Sequence, residues 1–198
     1  MVKSHIQIMD DLKYYASPKA KLTRMISGEE IIQIKRGLFV ENNDINLSLK
    51  SLSSLLYGPS YVSFQTALEF YGLIPERVDI TTCASYGKNK NKEFQTSVGK
   101  FIYNHIPNQA YPYDTVILEE NGQKFLIATP EKAICDMLYR TKIIQTETEL
   151  LNLLIEDWRI DFEQLKLLNM KSFLYLLPLY NNKVCQLFSN WIKKVINA

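Results

Sequence analysis

Residue types that support common enzyme chemistries are scarce in this 198-residue sequence. It has only two histidines, His5 and His105, so metal triads and histidine-based nucleophile systems are hard to build. The patterns GxGxxG, GxxxxGK(S/T), HExxH and GxSxG do not occur either. The sequence therefore predicts a protein that is not an enzyme, with no catalytic residues, no metal ligands and no cofactor.

Cysteine is also rare and dispersed. The three cysteines, Cys83, Cys135 and Cys185, lie far apart without a CxxC pair, which predicts reduced packing thiols in a reducing compartment. The first residues are interrupted by polar side chains and lack the apolar stretch of a signal peptide. No run approaches the roughly 18 apolar residues of a membrane span. We therefore expect a cytoplasmic protein without a membrane partner.

A strong charge of one sign is missing as well. Lys and Arg number 23 against 21 Asp and Glu, a net charge of +2, so any affinity for nucleic acid must come from a local patch. Residues 1–40 hold seven basic and four acidic residues, whereas the remaining 158 are close to neutral. This asymmetry indicates the N-terminal segment as the nucleic-acid contact.

The N-terminal segment has the pattern of a small DNA-binding domain. Spaced apolar residues from Ile6 to Tyr15 predict one amphipathic helix. Ser17 and Pro18 predict the start of a second helix, which Gly28 ends. Two short strands follow, around a basic turn, Lys35-Arg36-Gly37, in which Gly37 can adopt a positive φ. The order helix, helix, basic hairpin is typical of a winged helix-turn-helix, assigned here to residues 1–45.

Residues 46–198 predict a second, larger domain. A connector becomes a short helix that ends at Gly58-Pro59, and Ser60 caps a helix through Tyr71. Strands follow, with a hairpin signal at Asn121-Gly122. Thr129-Pro130 starts a helix to about residue 140, and residues from about 147 onward are helical. The predicted class is α+β: an N-terminal winged helix-turn-helix, then a mixed α/β domain and a helical C-terminal region.

The candidate DNA contacts lie on the second helix and on the hairpin turn. Basic side chains in both places suit phosphate contacts, and short hydroxyl side chains on the helix suit base edges or the backbone. The predicted set is Lys19, Lys21, Thr23, Arg24, Ser27, Lys35 and Arg36. A second basic loop, Lys88, Lys90 and Lys92, could add non-specific phosphate contacts. A solvated basic face and a polar connector are the alternative interpretations.

The acids offer no catalytic pair. Glu131 and Asp136 share a predicted helix but stand five residues apart, a spacing that does not make them converge. We interpret Glu131 as an acid that favours the helix N-terminus, and Asp136 as a solvated or a buried, hydrogen-bonded acid.

Three blocks of the sequence resemble the AbiEi-type antitoxins. Residues 34–40 (IKRGLFV) are similar to the hairpin that closes the winged helix of that family. Residues 59–75 (PSYVSFQTALEFYGLIP) resemble its signature helix, and residues 128–138 (ATPEKAICDML) resemble a second block that follows in the usual order. The resemblance covers roughly residues 20–140.

The resemblance implies a function that composition and spacing do not. Such proteins join an N-terminal winged-helix domain to a larger antitoxin domain in a two-gene abortive-infection operon. The antitoxin represses its own promoter by binding double-stranded DNA, and it counteracts a nucleotidyltransferase-like toxin without needing a stable complex. The alternative hypothesis is a protein-interaction module whose degenerate winged helix does not read DNA specifically.

Overall fold

The N-terminal segment forms two short helices and a small antiparallel sheet in the computed structural model, which describes residues 2–42, 46–142 and 144–196. Strand β1 (Lys3–Ser4) leads into α1 (His5–Asp11), and α2 (Pro18–Ser27) follows. The hairpin of β2 (Ile31–Lys35) and β3 (Leu38–Glu41) completes the segment. The sheet order is β1-β3-β2, with both pairs antiparallel. The predicted domain boundary at residue 45 lies outside the described residues.

Local signals explain where these elements begin and end. Ser4 and Gln7 form a reciprocal capping box at the start of α1. Helix α2 has Ser17 at its N-cap and ends at Gly28, as predicted, although the Ser17 hydroxyl makes no capping hydrogen bond. Gly37 has a φ of 80° in the hairpin turn. The first helix is shorter than predicted: it ends at Asp11, and Tyr15, which the prediction placed on its apolar side, is exposed.

The rest of the chain is built on a six-stranded mixed sheet, so the protein is of the α+β class. Its strand order is β6-β7-β5-β4-β9-β8. The β5–β7 and β4–β9 pairs are parallel and the others antiparallel. Asn121 and Gly122 both have positive φ, so the β8–β9 turn is the predicted hairpin. The strands are β4 (Ser60–Val62), β5 (Ile80–Ser85), β6 (Lys92–Thr96), β7 (Gly99–His105), β8 (Thr115–Glu120) and β9 (Gln123–Ala128).

Helices cover both faces of this sheet. Tyr61 pairs with Ala84 and Tyr103 pairs with Cys83, so these two tyrosines project from opposite faces. Tyr61 donates a hydrogen bond to Asp136 of α5, whereas Tyr103 donates one to the Ser53 carbonyl of α3. One face is therefore covered by α3 (Leu49–Leu56), and the other by α5 (Pro130–Arg140) together with α4 (Phe64–Phe70), which packs against it.

The C-terminal region is helical, as predicted, and packs on the outer side of α5. Its last helix buries Phe188 and Trp191, whose rings stack with centroids 5.5 Å apart. The region consists of α6 (Glu147–Asn152), a π-helical turn (Leu153–Asp157), α7 (Phe162–Leu167), α8 (Met170–Leu176), a 3₁₀ turn (Leu177–Tyr180) and α9 (Lys183–Ile196).

One predicted element is wrong. Ser60 does not cap a helix, because Ser60–Val62 forms β4 and α4 begins only at Phe64. Tyr61 and Val62 are almost completely buried between β5 and β9. Valine and tyrosine both favour a buried position inside a sheet. Residues 60–62 therefore form a strand because β5 and β9 pair with them on either side.

The hairpin β2–β3 belongs to two hydrophobic cores. Phe39 packs into a small core with Ile8 and Leu22 of the N-terminal helices. Its neighbours Leu38 and Val40 point the other way and pack into the large core. The N-terminal segment is therefore attached to the body through a hairpin that is buried on both faces.

A buried polar cluster, which we define as Tyr61, Ser63, Lys132, Asp136 and Tyr180, lies between the sheet and the C-terminal helices. Lys132 and Asp136 are one turn apart on α5, and neither side chain is exposed. The lysine ammonium lies 3.4 Å from Asp136 Oδ1 and donates to the Ala110 carbonyl at 2.6 Å and to the Tyr180 hydroxyl at 2.5 Å.

The carboxylate of Asp136 is equally well satisfied. Tyr180 donates to Oδ1 at 2.6 Å, while Tyr61 and Ser63 donate to Oδ2 at 2.9 and 2.6 Å. Buried charges are tolerated when they are paired and their remaining groups are hydrogen-bonded, and both conditions hold here. Burial, together with the nearby carboxylate, raises the pKa of the Tyr61 and Tyr180 hydroxyls, which keeps them protonated as donors.

Removing one charge of the buried pair is expected to destabilise the fold strongly. Lys132→Met leaves the Asp136 carboxylate buried without its cation, and Asp136→Asn leaves the ammonium without its anion. Each change should lower the free energy of unfolding by about 3–5 kcal/mol, measured by urea denaturation. Asp157→Asn, at an exposed acid, is the control and should change it by less than about 0.5 kcal/mol. Equal effects of Asp136→Asn and Asp157→Asn would contradict a structural role for the pair.

Stability should fall in mildly alkaline solution. Burial raises the pKa of the Cys83 and Cys185 thiols to about 12, and it raises that of Cys135 as well. The unfolded thiols titrate near pH 8.5, so above that pH the unfolded state releases protons that the folded state keeps. The stabilisation is complete below about pH 8.5 and is lost as the pH rises towards 12, by up to about 1.4 kcal/mol per pH unit for each thiol.

Urea denaturation between pH 7 and 10 measures this slope. Cys185→Ala should remove the contribution of one thiol and make the slope shallower. A free energy of unfolding that stays constant up to pH 10 would show that the buried thiols do not govern it.

Candidate nucleic-acid interface

The outward side of α2 is a continuous polar stripe. Lys19, Thr23, Arg24 and Ser27 are all exposed, whereas Leu22 on the opposite side is buried in the small core. The spacing of 3.6 residues per turn places these four polar residues along one side of the helix. Helix α2 contains no acidic residue. The structure therefore brings four of the predicted contact residues together on one exposed surface.

The hydroxyl groups of this stripe bond back to their own helix. Thr23 Oγ1 donates to the Lys19 carbonyl at 3.0 Å, and Ser27 Oγ donates to the Arg24 carbonyl at 3.1 Å. Both hydroxyl groups are exposed and bond only to the backbone of their own helix. Arg24 uses only its Nε, which donates to the Ala20 carbonyl at 3.4 Å. Its terminal nitrogens have no hydrogen bond within the described residues, so they are free to contact an anion.

Lys21 is less available than its neighbours. Its ammonium lies 3.6 Å from the Glu30 carboxylate and 5.8 Å from the centre of the Tyr15 ring. Only 24% of its side chain is exposed. A partly covered ion pair must be rearranged before Lys21 can contact a phosphate.

The structure places the two basic residues of the hairpin turn in different environments. Arg36 is exposed at the tip. Lys35 instead donates to the carbonyls of Leu55 and Leu56, at 3.0 and 2.5 Å, at the C-terminal end of α3. The end of a helix carries unpaired carbonyl groups and a partial negative charge, which a lysine stabilises. Lys35 therefore joins the hairpin to α3, and no local sequence pattern could have indicated that partner.

The second basic loop reaches the same end of α3. The Lys88 ammonium lies 5.1 Å from the centre of the ring of Tyr57, the residue that follows α3. Lys90 is exposed, and Lys92 begins β6 with its ammonium 5.6 Å from the Phe94 ring. The hairpin turn and this loop, about 50 residues apart in the sequence, thus both contact the C-terminal end of α3.

The two acids of α5 do not converge, as expected from their spacing. The Glu131 carboxylate accepts a hydrogen bond from the Asn169 backbone amide at 2.8 Å, whereas Asp136 belongs to the buried polar cluster. Lys132 was missed as an important residue. The sequence did offer a sign of this ion pair: Lys132 stands four residues before Asp136, and residues at i and i+4 are neighbours on the surface of a helix.

Metal-binding and membrane-spanning features are absent from the described residues. Within residues 2–42, 46–142 and 144–196, no group of three His, Cys, Asp or Glu side chains is arranged to hold a metal ion. In the same part of the chain, no helix has the length and apolar character needed to cross a membrane. No protein-family model matches the sequence, and the search of curated proteins found no match either.

The contact between Lys35 and α3 predicts a specific effect on stability. Lys35→Met keeps the apolar stem but removes the ammonium that satisfies two helix-terminal carbonyls. We expect the free energy of unfolding to fall by about 1 kcal/mol, as measured by urea denaturation. Arg36→Met is the matched control, since Arg36 is the neighbouring exposed cation, and it should have almost no effect. If both variants are as stable as the parent protein, the carbonyl contact contributes nothing.

Proposed function

We propose that the N-terminal segment is a DNA-binding module of the winged-helix type and that it binds double-stranded DNA through α2. The observation that carries this proposal is the exposed stripe of α2, in which two cations and two hydroxyl groups share one side of a helix without acids. An α-helix fits the major groove of B-form DNA, where cations contact phosphates and short polar side chains contact base edges.

The arrangement of the segment supports this proposal. Helix α2 is the second of two consecutive helices, and an antiparallel hairpin follows it directly. In helix-turn-helix proteins the second helix enters the major groove. The hairpin tip then presents Arg36 for contact with the neighbouring DNA backbone. Lys88, Lys90 and Lys92 add positive charge on the body of the protein, in a loop that contacts the residue after α3.

The proposal gives the predicted contact residues different roles. Lys19 and Arg24 contact phosphates, with Thr23 and Ser27 near the bases. Lys21 joins them after its ion pair with Glu30 opens. Lys35 keeps its place at the end of α3 and orients the hairpin.

The wider role that we propose is that of a cytoplasmic antitoxin and transcriptional autorepressor. This part rests on the resemblance of residues 59–75 and 128–138 to the AbiEi-type antitoxins. The first block contains β4 and α4, the second contains most of α5, and the two meet at the buried polar cluster. The protein binds its own promoter and counteracts a nucleotidyltransferase-like toxin encoded beside it, with no stable complex required.

Substitutions on the α2 stripe should weaken DNA binding. Lys19→Ala and Arg24→Ala each remove one phosphate contact, so binding should weaken on all sequences and the salt slope should fall by about one. Fluorescence anisotropy on the upstream promoter region at several salt concentrations measures both quantities. Lys183→Ala, at an exposed lysine of α9, is the control and should leave affinity and slope unchanged.

The same titrations distinguish the alternatives. If both α2 variants bind DNA as tightly as the parent protein, the α2 stripe is not part of the DNA interface. A protein-interaction module would be favoured by two results: equally weak affinity for promoter and unrelated DNA, and a second protein that co-purifies with this one. The antitoxin role has a separate test: the reading frame beside this gene should encode a nucleotidyltransferase, and co-expression of the two should rescue growth.

A further inference from the structure

A cleft of about 750 Å³ opens on the sheet face that α4 and α5 cover. Its floor is formed by Phe64, Thr82 and Met137, which are buried. None of its lining residues belongs to the N-terminal segment, so the cleft is separate from the candidate DNA interface. Its volume lies in the range of small-molecule sites, about 300–1,000 Å³.

The helical layer leaves part of this sheet face uncovered. Thr82 of β5 and Ile102 of β7 are paired and project from the same face. Thr82 is buried, whereas Ile102 remains half-buried although its strand lies inside the sheet. Ile102 and Thr82 line the cleft on this face, and Trp158 also lines it.

The polar groups around the cleft favour an anion. Arg140 at the end of α5 forms no ion pair within the described residues. The side-chain amides of Gln65 and Asn104 likewise have no hydrogen-bond partner in that part of the chain. The only acid in the lining is Asp79, whose carboxylate lies 3.7 Å from the Arg77 guanidinium. The cleft therefore has one uncompensated cation and two free amides, which can donate and accept hydrogen bonds.

The backbone at the floor is held in a strained conformation. Phe64 has a φ of 56°, which is unfavourable for a bulky residue. The preceding residue, Ser63, donates its backbone N–H to the Thr82 carbonyl at 3.0 Å and accepts from Thr82 Oγ1 at 2.7 Å. The Ser63 hydroxyl is bound to Asp136. The buried polar cluster thus fixes the strained residue that forms the floor, and such strain is concentrated at binding sites.

We propose that this cleft binds a small anionic ligand with a planar ring, of the nucleotide class. The ring lies against Trp158, the amides of Gln65 and Asn104 bind its polar edge, and the phosphate pairs with Arg140. Asparagine and glutamine amides match the paired donor and acceptor groups of a nucleobase, and a guanidinium matches a phosphate.

Titration with nucleotides tests this proposal in the full-length protein. The probes are the four ribonucleoside 5′-monophosphates, their nucleosides and inorganic phosphate, measured by isothermal titration calorimetry. At least one monophosphate should bind more tightly than both its nucleoside and phosphate alone. Arg140→Gln should weaken that binding by about tenfold, with an unchanged circular dichroism spectrum. Lys171→Gln, at an exposed lysine of α8 that does not line the cleft, is the control and should bind like the parent protein.

Tryptophan fluorescence provides an independent readout. The chain has two tryptophans, Trp158 at the cleft and Trp191 in the core. Ligand quenching should persist in Trp191→Phe and disappear in Trp158→Phe. The proposal is overturned if no probe binds at millimolar concentration, if Arg140→Gln binds as tightly as the parent protein, or if quenching survives in Trp158→Phe.

Discussion

The ion pair between Lys132 and Asp136 is the interaction on which the body of the protein depends. Two fully buried charges are tolerated only because four hydroxyl or carbonyl groups complete their hydrogen bonds. These groups come from the sheet, from the loop before β8 and from the C-terminal helices, so the network specifies how the three layers meet. Through Ser63 it also holds the strained backbone of Phe64 at the floor of the cleft.

A second constraint connects the N-terminal segment to that body. The hairpin β2–β3 is buried on both faces, and the ammonium of Lys35 fixes its turn to the end of α3. A hairpin attached in this way does not move independently of the large domain. The N-terminal segment that contains α2 is therefore held against the domain that also carries the loop with Lys88.

The sequence predicts a helix end or a turn correctly where the residues that cause it lie within that same short segment. Helix α2 lies between Pro18 and Gly28, and α5 begins at Thr129-Pro130, because these residues act on the backbone next to them. The Asn121-Gly122 turn follows from the positive φ that both residues adopt. The wrong prediction of a helix start at Ser60 shows where such local patterns fail. A serine before an apolar run suits a helix start, but pairing with β5 and β9 makes that run a strand.

The exposed stripe of α2 was determined by the sequence alone, since helical periodicity separates Lys19 and Arg24 from Leu22 whatever the rest of the chain does. Only the tertiary structure decided which cations are free. Lys35 is bound by carbonyls about 20 residues away, and Lys132 is enclosed by residues from distant segments. The cleft beside Arg140 likewise exists only after the sheet and helices have packed. Burial and long-range contacts depend on how the elements pack, and no local pattern encodes them.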